Sequence, residues 1–156
     1  TSKDSLFTLA LNGGNGQYGF EEIISKYGGT DAGNLARYYA GIAYLQTGNF
    51  DQAITYLKEF KGDDEILTPQ AKGGIGDAYA ANGNHAEAFN FYKQAASFDN
   101  NDYTAPRYLL KAGMSAIQAG NYGEAVKLLT DLKENYPDAP ELQKAEIFLG
   151  QAQAMQ

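Results

Sequence analysis

The sequence predicts an all-α chain of repeated helical hairpins, and three observations carry that expectation. A six-residue stretch is written three times: Gly48-Asn49-Phe50-Asp51-Gln52-Ala53, Gly83-Asn84-His85-Ala86-Glu87-Ala88 and Gly120-Asn121-Tyr122-Gly123-Glu124-Ala125. Its copies begin 35 and then 37 residues after their predecessors, a period that belongs to stacked helix pairs. The segments between copies carry apolar residues at helical spacing. In each copy the Gly suits the left-handed residue that ends a helix, and the Asn suits the cap of the next. The Gln or Glu three residues later completes a capping box.

The chain can be followed through these turns in order. Residues 1–31 read as a partial hairpin with a Gly-rich loop, Asn12-Gly13-Gly14-Asn15-Gly16. The apolar run Leu6–Leu11 is too short to classify as strand or helix, whereas Phe20, Ile23, Ile24 and Tyr27 form a helix that Gly28-Gly29 should stop. The first full pair spans 32–67, with Leu35, Tyr38, Tyr39, Ile42 and Leu45 before its turn and Ile54, Leu57 and Phe60 after it. The second spans 68–103 and opens at Thr68-Pro69, where Thr can cap and Pro is tolerated in the first turn. The third spans 104–138, from Thr104-Ala105-Pro106 to Tyr136-Pro137. Asp138-Ala139-Pro140-Glu141 then reads as a capping box opening a last helix over 139–156, without a partner and acting as the cap of the array.

Size and composition limit the chemistry. A chain of 156 residues buries roughly 70% of its unfolded surface, so it needs no staples. It has no Cys, which excludes disulfides and thiolate zinc sites, and a single His leaves metal binding to carboxylates. We expect neither cofactor nor metal. The net charge of −7 opposes phosphate backbones and anionic lipid, so nucleic acid is not an expected partner. No apolar run approaches the roughly 20 residues of a spanning helix. Because the chain begins at Thr1 rather than Met, an N-terminal segment, including any anchor, is expected to have been removed.

These residues resemble the tetratricopeptide repeat (TPR) family. The small residue of the first helix, the aromatic three further on, the Gly turn, the later Ala and aromatic, and the closing Pro appear as Gly41, Tyr44, Gly48, Phe50 and Ala53 in the first pair. The second supplies Gly76, Tyr79, Gly83, Ala88, Tyr92 and Ala95, and the third Gly113, Gly120, Tyr122, Ala125 and Pro137. Ala116 replaces the first aromatic in the third pair, and Leu57 and Leu129 replace the later one. The resemblance covers about residues 32–155 and implies a right-handed α-solenoid. It implies that Gly41, Gly76 and Gly113 face Ala53, Ala88 and Ala125 at the helix crossings. On that register Gly76→Leu overpacks its crossing at a cost of about 1–3 kcal/mol, which a thermal melt checks. The stretch Gly33–Gly41 and Gly76-Asp77-Ala78-Tyr79 are also similar to bacterial TPR proteins tethered by one N-terminal membrane helix, among them the ancillary subunit of the Sec translocon. That likeness implies a periplasmic location, the alternative being cytoplasmic.

The resemblance also implies a groove lined by first helices. Its candidate peptide-binding residues are Tyr38, Ile42, Gln70, Asp77, Arg107, Leu110, Lys111 and Met114, flanked by Leu35, Leu45, Gly73 and Ile117. Aromatic, Met and cationic side chains suit an extended or helical peptide. The competing reading for Tyr39 and Ile42 is burial between hairpins. Some family members clamp a C-terminal carboxylate with Lys and Asn; Arg107 and Lys111 match two basic positions, but Tyr38, Ile42 and Gly74 stand where others of the set belong.

Other motifs carry bland readings. Gly14-Asn15-Gly16-Gln17-Tyr18-Gly19 fits the dinucleotide pattern G-x-G-x-x-G, yet the second parallel strand it needs has no room before the first repeat, so a Gly loop is expected. His85 is read as a packed or half-exposed ring rather than a catalytic one. Asp63-Asp64-Glu65 and Asp99-Asn100-Asn101-Asp102 lack the spacing of a calcium loop. The leading expectation is a non-catalytic scaffold for a protein or peptide segment. Alternatives are a self-assembling module, pairing its end elements with a neighbouring copy, and, more remotely, a nucleotide- or metal-dependent enzyme.

Overall fold

A computed structural model describes residues 2–98 and 101–156. Its elements are α1 (Ser2–Asn12), β1 (Gly13–Gly14), β2 (Gln17–Tyr18), α2 (Phe20–Tyr27), α3 (Asp31–Gln46), α4 (Phe50–Glu59), α5 (Leu67–Ala81), α6 (His85–Ser97), α7 (Ala105–Gln118), α8 (Tyr122–Asn135) and α9 (Leu142–Ala154). They fall into two compact units, Thr1–Ala78 and Tyr79–Gln156. The all-α helical-hairpin fold expected from the sequence is the one observed.

The three repeated turns share one local geometry. Gly48, Gly83 and Gly120 have φ of +79°, +78° and +75°, the left-handed region a Cβ disfavours. Behind each, the Gly N–H bonds back three residues and the Asn N–H five, as in Gly120 N to Ile117 O (3.0 Å) and Asn121 N to Ala116 O (2.8 Å). This double closure is a Schellman motif. It changes the expected capping box by half. The side chains of Asn84 and Asn121 do accept from Glu87 N and Glu124 N (3.2 and 3.4 Å), but the Asn backbone N–H is already taken by the preceding helix. Asn49 makes no side-chain cap; its amide donates to Thr47 Oγ1 instead.

Other caps differ from the sequence reading. Asp64 Oδ1 accepts from Ile66 N and Leu67 N (3.0 and 2.6 Å) ahead of α5, so Asp64 does the work assigned to Thr68. Thr68 instead lies buried in the first turn with its hydroxyl unpaired. Asn101 Oδ1 likewise receives Tyr103 N and Thr104 N before α7. The box at Asp138–Glu141 does not form. Backbone turns Ala139 N to Tyr136 O and Leu142 N to Ala139 O lead into α9, whose cap residue Glu141 makes no side-chain cap bond.

In the first unit the undecided N-terminal run is helical. Leu11 and Phe7 of α1 pack on Ala40 and Ala43 of α3, so α1 and α2 complete a hairpin that the sequence left half-empty. Between them β1 pairs antiparallel with β2 through Asn15 (φ +52°) and Gly16 (φ +78°), a two-residue turn with both residues left-handed. The G-x-G-x-x-G pattern is therefore the fabric of this hairpin. A Cβ on Gly19 would stand 2.2 Å from Gly13 N, so close backbone approach explains that glycine without a phosphate.

At the hairpin crossings, the small residues meet a different partner from the one expected. A Cβ on Gly41 would lie 2.5 Å from Leu57 Cγ, and one on Gly113 2.6 Å from Leu129 Cγ, one turn beyond Ala53 and Ala125. The alanines are fully buried, but the leucines fill the space that each glycine leaves. Gly76 is buried in α5. In the second unit one apolar core joins α6, α7, α8 and α9 around Tyr92, Leu109, Leu129, Leu132 and Leu149.

A polar cluster in the first unit is absent from the sequence reading. Glu21 on α2 accepts from Tyr44 OH on α3 and from Tyr56 OH on α4 (2.6 Å to the latter), and the two rings stack 5.4 Å apart. Burial, reinforced by the Glu21 carboxylate, pushes the Tyr44 phenol up to about 12 and raises that of Tyr56.

Two outcomes follow from this packing. Gly113→Leu should destabilise by about 1–3 kcal/mol, because Leu129 cannot retreat, whereas Gly123→Ala in the exposed first turn of α8 should be near neutral or better; chemical denaturation separates them. Since the folded Tyr44 phenol titrates above its unfolded value of 10.0, its contribution is complete below pH 10 and disappears as pH rises toward about 12. Ultraviolet titration of tyrosinate should show this late-ionising group, and Glu21→Gln should move it to lower pH.

Candidate functional site

The candidate groove residues have different fates in the two units. In the first, Tyr38 is 5% exposed, its ring packed at 5.4 Å against Phe60 and its hydroxyl donating to Gln70 Oε1 at 2.9 Å. Ile42 is half-buried and reaches toward Gly74, as does Leu45, because Gly74 offers no side chain to exclude them. Tyr38, Ile42 and Gln70 therefore join α3 to α5, with Ile42 half-buried there, whereas Tyr39 is 44% exposed. Burial also raises the Tyr38 phenol above its ordinary value. Asp77 is half-buried on α5.

In the second unit, three of the four candidates remain accessible. Leu110 is core, at 8% exposure. Arg107 is exposed, with its guanidinium 5.7 Å from the Tyr108 ring, and Lys111 and Met114 are half-buried further along α7. Lys111 Nζ stands 5.4 Å over the Tyr92 ring. Lys111, Met114, Ser115 and Gln118 of α7 line a cleft of about 330 Å³ with Ala80, His85, Tyr92 and Phe148. Tyr92, Met114 and Phe148 make most of its wall apolar, and Lys111 sets a cation against it. His85, half-buried at the start of α6, contributes a packed ring as expected. Phe148 and Tyr92 are the aromatic lining residues that the candidate groove set lacked, along with Ala80, His85, Ser115 and Gln118. For Phe148 the signal was register, since it stands two residues before a repeat glycine, Gly150, as Tyr39 does before Gly41 and Lys111 before Gly113.

A second cleft, in the first unit, is polar and of about 630 Å³, lined by Gly28–Asp31, Asn34, Arg37, Glu59 and Lys61. Its groups are engaged with each other. Arg37 Nη1 donates to Gly28 O (2.7 Å) while its Nε lies 3.5 Å from Glu59, and the Asn34 amide clasps both backbone groups of Lys61 (2.6 and 2.9 Å). This cleft is a brace between α2, α3 and the end of α4. The loop carboxylates are similarly occupied at Asp64, by capping α5. The Asp99–Asp102 loop lies partly outside the described residues. Among the described residues, no helix is long and apolar enough to cross a membrane.

Comparison with known proteins agrees with this architecture. Two tetratricopeptide repeat family models match, over residues 38–103 and 79–147. No curated protein matches the chain. Two crystal structures of Podosopora anserina kinesin light chain nearly identical TPR-like repeats, one of them a Q17M variant, cover 99% of this chain. The variant is 17% identical with a TM-score of 0.68 over 84% of its own length, and the other is 16% identical with a TM-score of 0.70 over 85%. At that identity the likeness concerns the fold alone. TPR arrays as a class mediate protein–protein contacts and typically carry no catalytic site. Positive-φ glycine turns at a 35- to 37-residue period, helices paired across small residues and both family matches make one conclusion: this chain belongs to the tetratricopeptide repeat family.

Proposed function

We propose that the protein is a non-catalytic interaction scaffold, with repeats at 32–67, 68–103 and 104–138, and that its second unit holds a segment of a partner protein in the cleft beside α7. One observation carries the reading: an apolar wall of Tyr92, Met114 and Phe148 lies beside Lys111, with Arg107 one turn earlier on the same helix. Like charges four residues apart on a helix oppose each other by roughly 0.2–0.5 kcal/mol. Among the described residues, no carboxylate lies within ion-pair distance of Arg107. In a chain of net charge −7, Arg107 suits a carboxylate brought by the partner, next to an apolar side chain that enters the cleft beside Lys111. The cleft is at the lower end of the roughly 300–1,000 Å³ typical of small-molecule sites, a size that suits an anchoring side chain. The likeness of Gly33–Gly41 and Gly76–Tyr79 to tethered bacterial TPR proteins extends the reading to the cell envelope.

A displayed peptide library tests it. Selected peptides should pair a large apolar residue with Asp or Glu, and Arg107→Ala/Lys111→Ala should weaken them more than tenfold and flatten the salt dependence. Met114→Lys should weaken them without flattening it. Peptides indifferent to all three substitutions would place binding elsewhere and overturn the cleft.

A further inference from the structure

The first helices of the hairpins share one register that extends to α9. Glycines 41, 76, 113 and 150 are 35, 37 and 37 residues apart. Around all four the same positions are buried: Ala40, Ile75, Ala112 and Leu149 one residue before, and Ala43, Ala78, Ser115 and Ala152 two residues after. In α3 and α7, the glycine face is closed by a leucine from the second helix, Leu57 or Leu129. On α9 it is open, since nothing lies within 4 Å of where a Gly150 Cβ would stand. Three residues before the glycine, Tyr38 and Leu110 are 5% and 8% exposed, but Ile147 is 66% exposed. Four residues after it, Ile117 is buried and Ala154 is exposed.

The closing helix has a readable chemistry. On α4, Ala53 is followed one turn later by Leu57, which meets Gly41, and then by Phe60, whose ring packs against Tyr38. Helix α1 displays the same pattern. It carries Ser2, Leu6 and Leu9, with Leu6 65% and Leu9 51% exposed in an open cleft beside the β1–β2 hairpin, while Leu11 and Phe7 hold another face against α3. The second helices α4 and α8 are already engaged with their own first helices.

We propose that the open face of α9 is occupied by α1 of a second copy, antiparallel, so that Leu6 fills the space at Gly150, Leu9 covers Ile147 and Ser2 meets Ala154. This is the spacing by which Leu57, Phe60 and Ala53 serve α3. The contact is heterologous: one copy offers α9 and the other offers α1, so the two copies contribute different surfaces to it. A single pair of short helices buries less than the roughly 800 Å² per partner of a standard interface, so the association is weak and concentration-dependent. It is independent of the cleft beside α7.

The chain has no cysteine, which makes disulfide trapping clean. Ser2→Cys protein is mixed under oxidation with Ala154→Cys protein, both changes being at exposed positions. The expected result is a mixed dimer trapped at least tenfold faster than either like-with-like dimer, and lost on adding Ile147→Lys to the Ala154→Cys chain. Sedimentation of the unmodified protein should show mass rising with concentration, and Ile147→Lys should return it to monomer while Arg107→Ala/Lys111→Ala leaves it unchanged. A monomer at every concentration, or like-with-like dimers trapped as fast as mixed ones, would overturn the proposal.

Discussion

The close approach of two helices across a missing side chain governs this protein. At Gly41 and Gly113 the second helix comes near enough for a leucine to stand where a Cβ would be. Leu57 and Leu129 are then buried at 2% and 0% exposure, each worth about 1.5–3 kcal/mol of transfer from water. The left-handed glycines at 48 and 120 make the return sharp enough to bring those leucines into place. Turn and crossing therefore support each other. Neither would gain much alone, because a tight turn without burial offsets little of the entropy of ordering it.

Once a hairpin has spent its glycine, alanine and leucine positions on its own closure, what remains on the first helix is available to neighbours. The two units use that remainder differently. In the first, Gly74 on α5 leaves room for Ile42 and Leu45, and Gln70 gives Tyr38 a hydrogen-bond partner, so the face is consumed by packing. In the second, the corresponding stretch of α7 keeps Arg107, Lys111 and Met114 at the surface beside Tyr92 and Phe148. The size and polarity of the opposing residue decide whether a groove position becomes core or stays at the surface.

Electrostatics follows the same division. The Glu21 carboxylate between Tyr44 and Tyr56 is satisfied within the first unit and ties three helices together, and the Arg37–Glu59 and Asn34–Lys61 contacts complete that brace. Satisfied groups of this kind rigidify a scaffold and have little left to offer a ligand. Arg107 on α7 is the contrast, an exposed cation on an acidic protein one turn from the apolar-walled cleft.

What the sequence by itself determined was the local backbone: three Gly-Asn turns, helices of the right length between them, and a period that made them repeats. Such features are encoded within a few residues, since glycine tolerates positive φ, asparagine caps, and apolar spacing defines a helix face. Its errors were also local alternatives of nearly equal quality, such as Asp64 capping in place of Thr68, or an Asn15-Gly16 hairpin where a Gly loop was expected. Only the tertiary structure decided that Leu57 rather than Ala53 meets Gly41, that Glu21 joins two tyrosines 23 and 35 residues away, and that Tyr38 is core while Met114 lines a cleft. Those outcomes depend on which atoms lie opposite, and a one-turn shift along a helix exchanges one partner for another without changing any local preference.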